Sequence, residues 1–250
     1  MKPNIRAVFT DLDETLTTSG ILLESTYAAL WKLRAAGIFT VIITGRPAGW
    51  ADALVRIWPV DAVVFENGCG IYVRRGEHIE LIALAAQDNP PAKRQELHRI
   101  FAQVQKEIPA AHLALDQPFR YYDYAIDHSE QEPKLTPAEI QRVLEILRSH
   151  PGIQARPSSA HVNFLFGHHD KSTGAQALLD LPDARGIQRE ECAFIGDSLN
   201  DEPLFGYFLH TWGVANIRDV WDSLSSRPRA VTESRGGKGF EEFVSALLTP

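Results

Sequence analysis

The chain has little of what marks several large classes of protein. It contains only two cysteines in 250 residues, Cys69 and Cys192, so neither a disulfide framework nor a cysteine-ligated metal site is expected. Basic residues number 25 against 32 acidic ones, a net charge of −7, which gives no general attraction to nucleic acid or anionic membrane. Charged residues at 11–14 come before any long apolar run, so neither a signal peptide nor a membrane span is visible. We therefore expect a cytoplasmic protein.

What is present is the composition of an ordinary globular protein. Hydrophobic residues make up 44% and charged residues 23% of the sequence, which argues against extensive disorder. The length suits either one large domain or a core that carries a smaller inserted domain, and both can bury a sizeable core.

Apolar runs and helical patterns alternate at both ends of the chain. Runs at residues 5–10, 38–43 and 62–65 predict buried strands, and residues 192–195 predict another near the C-terminus. The first helix has Ser25 as a possible cap and Gly37 as its end. Such alternation predicts an α/β fold, a Rossmann-like parallel sheet with right-handed helical crossovers.

The middle of the chain interrupts this pattern. Thr136 and Glu139 have the spacing of a capping box, with Pro137 at the first helical position, and predict a helix that ends near His150. Residues 162–166 then predict a strand. We interpret residues 85–168 as an inserted α+β cap domain, with residues 1–84 and 169–250 forming the two parts of the core.

Four short polar segments follow core strands or begin a core helix. The carboxyl ends of the strands of an open α/β sheet form one crevice, so these segments are expected to meet there. The carboxylates concerned would repel one another without a cation, and their oxygen donors favour Mg²⁺. Lys171, Thr44 and Asn200 add donors suited to phosphate oxygens. The acidic residues of the segments are Asp11, Asp13, Asp197 and Asp201.

Taken singly, each segment could be an ordinary turn without a catalytic role, because Asp and Gly are common in turns after strands. In sequence order, however, the four segments resemble the motifs of the haloacid dehalogenase superfamily of phosphatases. The resemblance covers the core, and the insertion looks like the C2-type α/β cap of a branch that includes Cof-type, sucrose-phosphate, trehalose-phosphate and mannosylglycerate-phosphate phosphatases and the phosphomannomutases.

The resemblance implies a role for each motif residue. Asp11 is then the nucleophile, and Asp13 is the acid that protonates the leaving oxygen and later the base for water. It further implies that Asp11, the Asp13 carbonyl and Asp197 hold Mg²⁺, with Asp201 supporting the metal or Lys171. The phosphate-binding residues that it implies are Thr44, Gly45, Lys171 and Asn200.

The cap and the second motif carry weaker indications. Arg46 could steer the substrate or form a structural ion pair. Arg156, His161 and Asn163 precede the third motif, where related caps contact the leaving group, although a solvated strand is the simpler explanation. One departure from the family pattern is Glu14, where glycine is commoner in the family. This difference affects the expected geometry of the loop and not the chemistry.

These observations predict a Mg²⁺-dependent phosphatase that acts on a small phosphorylated metabolite, with a sugar phosphate as the expected substrate, through a phospho-aspartate. A phosphomutase would use the same core residues. A receiver-type signalling domain would need neither the insertion nor the acid at Asp13, and a silent phosphate sensor remains a further alternative.

Overall fold

The computed structural model describes residues 4–158 and 160–249. Its strands are, in chain order, β1 (Ala7–Thr10), β2 (Thr17–Thr18), β3 (Ile21–Leu22), β4 (Phe39–Ile43), β5 (Ala62–Phe65), β6 (Gly70–Arg75), β7 (His78–Ala83), β8 (His112–Leu113), β9 (Tyr124–Asp127), β10 (Ile153–Pro157), β11 (His161–Phe166), β12 (Cys192–Gly196), β13 (His210–Gly213) and β14 (Ala230–Val231).

The helices alternate with the strands at both ends of the chain. They are α1 (Glu24–Ala35), α2 (Ala48–Ile57), α3 (Pro91–Glu107), α4 (Pro137–Arg148), α5 (Lys171–Leu179), α6 (Glu202–Tyr207) and α7 (Gly236–Leu248). None of the helices in the described residues has the length and apolar character that a membrane crossing requires.

An eight-stranded sheet forms the centre of the core, in the order β14-β13-β12-β1-β4-β5-β6-β7. The pairs from β14 through to β5 are parallel, whereas β6 and β7 add an antiparallel hairpin at one edge. The α/β expectation is therefore confirmed, but the sheet is mixed. Parallel order places the carboxyl ends of β1, β4 and β12 side by side, which is where a doubly wound sheet forms its crevice.

The two faces of this sheet bury alternate residues of the strands. Val8 packs into a cluster with Leu30 of α1 and Phe243 of α7, whereas the next residue, Phe9, packs into a second cluster with Leu178 of α5. Successive side chains of a strand point to opposite faces, so a strand covered by helices on both sides must be apolar throughout. Each such large side chain contributes roughly 1.5–3 kcal/mol by its burial.

A separate four-stranded antiparallel sheet has the order β10-β11-β9-β8. Ile126 and Phe164 of this sheet pack with Leu97 of α3 and Val143 of α4 in a third apolar cluster. Because alternate residues point to the opposite face, this sheet can present polar side chains away from its two helices. All its strands lie in the segment that the sequence predicts as an insertion, and the predicted boundaries at residues 84 and 168 remain a prediction.

Two local expectations have opposite outcomes. Thr136 caps α4, since its side chain accepts from the Glu139 backbone N–H and Glu139 accepts from the Thr136 backbone N–H. The predicted cap Ser25 is wrong: the N-cap of α1 is Leu23, two residues earlier, and the Ser25 hydroxyl donates instead to Glu241 Oε1 at 2.6 Å. Ser25 therefore makes a tertiary contact with α7, although the local pattern predicts that it caps the start of α1.

Candidate active site

A buried lysine lies between two aspartates at the carboxyl edge of the main sheet. Lys171 Nζ donates to Asp11 Oδ1 and to Asp201 Oδ1, both at 2.6 Å. The other Asp201 oxygen accepts from the backbone N–H groups of Asp197 and Ser198, at 2.8 and 3.1 Å. Both oxygens of Asp201 are therefore engaged, and this residue holds Lys171 and the loop after β12 in place.

The pKa shifts of the group follow from burial and crowding. Burial raises the pKa of Asp11 to about 7, and the neighbouring Asp201 and Asp13 add to the shift against the opposing effect of Lys171. Burial also raises the pKa of Asp197 well above its usual range, again with help from Asp11 and Asp201. For Lys171, burial acts to lower the pKa, but Asp11 and Asp201 outweigh it and raise the value above normal.

The donor set fits a hard divalent cation. Ligand oxygens of Asp11, Asp197 and Asp201 lie within 4.8 Å of one another, and all three residues are buried. The other partners of Asp197 are neutral: its Oδ1 accepts from Thr15 at 3.4 Å and its Oδ2 from Asn216 at 3.0 Å. Three carboxylates face one lysine, so the cluster retains excess negative charge that a cation can neutralise.

Backbone geometry brings these side chains together. Asp11 follows β1, and Lys171 is the first residue of α5, whose N-cap Asp170 accepts from the Thr173 backbone N–H. Gly68 has φ +99°, and a Cβ there would lie 2.1 Å from the Asp170 carbonyl oxygen. The close approach of the turn after β5 to the start of α5 therefore requires glycine.

The unusual Glu14 occupies a left-handed position, with φ +55°. This conformation favours glycine and costs other residues about 1 kcal/mol or more, which gives a physical reason for the glycine that the family resemblance leads us to expect here. Here the loop is supported by polar contacts: Glu14 N donates to Thr17 Oγ1 at 3.1 Å, and Asn216 Nδ2 donates to the Glu14 carbonyl at 3.0 Å.

Asp13 is held by Arg46 from the adjacent loop. Arg46 Nε and Nη2 donate to the two Asp13 oxygens at 2.8 and 2.9 Å, a bidentate pair. Arg46 Nη2 also donates to Glu130 Oε1 at 2.5 Å. A hydrogen bond from His161, opposed by burial and reinforced by Arg46, lowers the pKa of Glu130 to about 2. Arg46 therefore links the loop after β1 to the segment between β9 and α4.

A small cavity, about 20 Å³, is lined by the nucleophile candidate Asp11 and by Asp13. Its walls combine residues of the core with residues of the turn between β10 and β11. The residues that line it are Asp11, Asp13, Gly45, Arg46, Ser158, Ala160, His161, Ser198 and Asn200. A larger cavity, about 300 Å³, adjoins it through the shared residues Ser158 and Ser198.

The remaining site candidates from the sequence have different surroundings. Thr44 is buried and its Oγ1 accepts from the Arg46 backbone N–H at 3.0 Å, whereas Asn200 Nδ2 donates to Asn67 Oδ1 at 3.2 Å. Neither Arg156 nor Asn163 is among the described residues that line the smaller cavity. Arg156 pairs with Asp170 at 3.2 Å, and Asn163 is buried with its amide on Asp123.

Sequence reasoning missed a buried polar junction beside the site. Arg120 binds Asp116 and Asp123, each at 3.0 Å, and its Nη1 donates to the Gly45 carbonyl at 3.0 Å. Glu66 accepts four backbone N–H groups, from Ala48 and from residues 121–123. The ion pairs of Arg120 are local, but its contact with Gly45 and the contacts of Glu66 join distant segments and follow no spacing rule. The run of aromatic residues at 119–124 was the only available signal.

Comparison with protein families and curated proteins gives concordant results. Residues 8–108 match the model of the haloacid dehalogenase-like hydrolases. The chain is 25% identical, over 98% of its length and 96% of the relative's, to phosphoglycolate phosphatase 1 of Saccharolobus solfataricus. It is 26% identical, with the same coverage of both chains, to phosphoglycolate phosphatase of Pyrobaculum neutrophilum.

Solved structures share the fold at lower sequence identity. The C-terminal domain of trehalose-6-phosphate phosphatase from C. albicans superposes with a TM-score of 0.77 at 17% identity, covering 98% of this chain and 93% of that one. The core and the four-stranded sheet are thus parts of an architecture already known in phosphatases.

Proposed function

We propose that this chain, a phosphatase of the haloacid dehalogenase-like hydrolases, hydrolyses a small phosphomonoester through a phospho-aspartate on Asp11. Lys171 donates to Oδ1 of Asp11, so we assign Oδ2 as the oxygen that attacks phosphorus. As the new bond forms, the bond from phosphorus to the leaving oxygen breaks. Lys171 also offsets negative charge where the carboxylate meets the phosphate.

Asp13 is the proposed proton carrier. Its carboxyl group gives a proton to the leaving oxygen and then takes one from the water that attacks the phospho-aspartate, which releases phosphate and restores Asp11. The bidentate contact with Arg46 fixes the orientation of Asp13 toward the cavity. Gly45 and Asn200 line the same cavity and, with Thr44, are the proposed phosphate-binding residues.

Mg²⁺ is the proposed metal, held by Asp11, Asp197 and the Asp13 carbonyl, with Asp201 acting through Lys171. The bound ion supplies charge neutralisation and orients the phosphate. The all-oxygen donor set supports this choice. Removal of the ion with a chelator should abolish phosphate release, because Asp11 and Asp197 would then repel the substrate dianion.

For the substrate, we propose a compact phosphomonoester that carries a carboxylate, such as 2-phosphoglycolate. The observation that supports it is the contact of Arg46, which lines the cavity beside Asp11, with the Glu130 carboxylate at 2.5 Å. A substrate carboxylate has the same chemistry as that of Glu130 and can replace it on the guanidinium. The names of the two curated relatives agree with this choice.

A sugar phosphate is the second candidate, because the larger adjoining cavity provides room for a bulky leaving group. Steady-state kinetics with Mg²⁺ on 2-phosphoglycolate, ethyl phosphate and trehalose 6-phosphate separates the candidates. We expect the highest kcat/KM for 2-phosphoglycolate. A higher value for the sugar phosphate would contradict the carboxylate proposal and leave the phosphatase assignment intact.

The role of Arg46 is tested by Arg46→Lys, with Arg56→Lys on the exposed face of α2 as the matched control. Loss of the planar fork should reduce the preference for 2-phosphoglycolate over ethyl phosphate by roughly 10–100-fold, the value of one or two charge-assisted hydrogen bonds. Equal losses on both substrates would show that Arg46 acts only through Asp13.

A further inference from the structure

A second group of metal-ligand side chains lies on the four-stranded sheet. Ligand atoms of Asp127, Glu130 and His161 lie within 4.8 Å of one another. Asp127 ends β9 and is the direct antiparallel partner of His161, the first residue of β11. Directly opposed residues project from the same face of a sheet, so the register itself brings the carboxylate and the imidazole together.

Glu130 joins the pair through a tight turn after β9. The backbone N–H groups of Ser129 and Glu130 both donate to Asp127 Oδ1 at 2.8 Å. This turn directs the chain back over the end of the strand, and Glu130 Oε2 reaches His161 Nε2 at 3.3 Å. The three groups are therefore positioned by the fold and by local hydrogen bonds.

One oxygen of the group has no partner. Asp127 is only 5% exposed, and within the described residues no donor reaches its Oδ2. An unsatisfied buried polar atom costs roughly 1–3 kcal/mol, and more if it is charged. The Asp127 backbone turn uses only Oδ1, which leaves Oδ2 available to a ligand that the protein itself does not supply.

The charges near this group suit a divalent ion. Asp127 and Glu130 supply two negative charges, and the side chain of His161 is 4% exposed. Arg46 is the cation that now contacts Glu130, but it is already neutralised by its bidentate contact with Asp13. An ion bound here would give Asp127 Oδ2 the partner that it lacks and would add a second cation beside Glu130, while Arg46 keeps Asp13.

We propose that Asp127, Glu130 and His161 form a second metal site, distinct from the carboxylate cluster around Asp11. The mixed nitrogen and oxygen donors favour a borderline ion, such as Zn²⁺ or Mn²⁺, over Mg²⁺. Three protein ligands leave a coordination position open. Since His161 lines the cavity above Asp11, this ion is placed at the wall of the substrate cavity.

The test is a zinc titration of the ¹⁵N-labelled full chain in excess Mg²⁺, followed through the imidazole nitrogens. The cluster around Asp11 contains only oxygen donors, so a shift of a His161 ring nitrogen reports the second site alone. The signal is assigned with His161→Gln. We expect Zn²⁺ to shift it at a stoichiometry of one ion per chain, whereas an unchanged His161 signal would overturn the proposal.

Asp127→Asn provides an independent measurement, because asparagine keeps the oxygen that accepts from residues 129 and 130. We expect its zinc affinity, from equilibrium dialysis in the same buffer, to fall by more than ~10-fold, the lower limit found when even outer-shell partners are removed. His150→Gln, a change after the end of α4, is the matched control and should bind as the wild type does. Equal affinity in Asp127→Asn would contradict the site.

Discussion

Two buried cations in this molecule have similar immediate partners but different surroundings. Lys171 contacts Asp11 and Asp201, and Arg120 contacts Asp116 and Asp123. Around Arg120, the remaining polar atoms are engaged: Asn163 donates to Asp123, and the guanidinium reaches the Gly45 carbonyl. This group is a completed junction between segments distant in sequence.

Around Lys171 the pairing is incomplete. Asp197 adds a third carboxylate whose side-chain partners Thr15 and Asn216 are neutral. By contrast, the additional carboxylate near Arg120, Glu66, is covered by four backbone N–H donors. The comparison teaches that buried charge alone does not indicate a functional site, whereas a charge excess that neither side chains nor backbone neutralise does.

The largest expected effect is loss of turnover in Asp11→Asn. The amide keeps the shape of the side chain but cannot attack phosphorus, so phosphate release should fall more than ~10⁴-fold, as for other nucleophile replacements. Circular dichroism should show an unchanged fold. Asp52→Asn, at a partly exposed position on α2, is the matched control. Turnover near the wild-type rate in Asp11→Asn would place the nucleophile elsewhere.

Arg120→Met should mainly affect stability. It leaves two buried carboxylates without their partner, which typically costs about 3–5 kcal/mol in the free energy of unfolding. Arg142→Met removes only exposed ion pairs, with Glu107 of α3 and Glu145 of α4, and should cost much less. Denaturant titration of both variants measures the difference, and equal losses would contradict the account of Arg120 as a completed junction.

Added Mg²⁺ should affect the group around Lys171 and the group around Arg120 differently. The group around Lys171 is the proposed Mg²⁺ site, so added Mg²⁺ should stabilise the wild type against denaturant by mass action. The same increment should appear in Arg120→Met, because the junction does not bind Mg²⁺. It should be reduced in Asp197→Asn. An increment that disappears in Arg120→Met but persists in Asp197→Asn would reverse the assignment of the two groups.

The smallest effect is expected at Glu130, whose side chain is 42% exposed. The pKa of Glu130 is lowered to about 2 by His161 and Arg46, so its contribution to stability is present above the unfolded value near 4.5 and is lost as the pH falls toward 2. Glu130→Gln should therefore cost less than ~1 kcal/mol at pH 7. Its difference from wild type should shrink between pH 5 and pH 3, and a difference that grows on acidification would be inconsistent with this pairing.

Local patterns were sufficient to predict the residues of the carboxylate cluster. Asp11 and Asp197 follow short apolar strands, and Lys171 begins a helix, so sequence order and the geometry of a parallel sheet are enough to bring them together. The α/β core follows from the same alternation. The roles of these residues remain proposals that the experiments above test.

The features that sequence did not predict depend on contacts between distant segments. Arg120 and Glu130 lie in the middle of the chain but contact Gly45 and Arg46, and no spacing rule connects such positions. The hairpin of β6 and β7 was also not predicted, although Gly76, with φ +63°, marks its turn. The alternation of strands and helices in the preceding core predicts a helix after β5, whereas β6 and β7 follow it as antiparallel strands.

The most direct test of the central claim is to detect the phospho-aspartate itself. Wild-type enzyme is mixed with Mg²⁺ and a phosphomonoester, quenched in acid within the first turnover, digested and analysed by mass spectrometry. We predict one added phosphoryl group on the peptide that contains Asp11, and its absence in Asp11→Asn. Substrate turnover with no phosphorylated peptide at any quench time, or a phosphoryl group on another residue, would contradict the account.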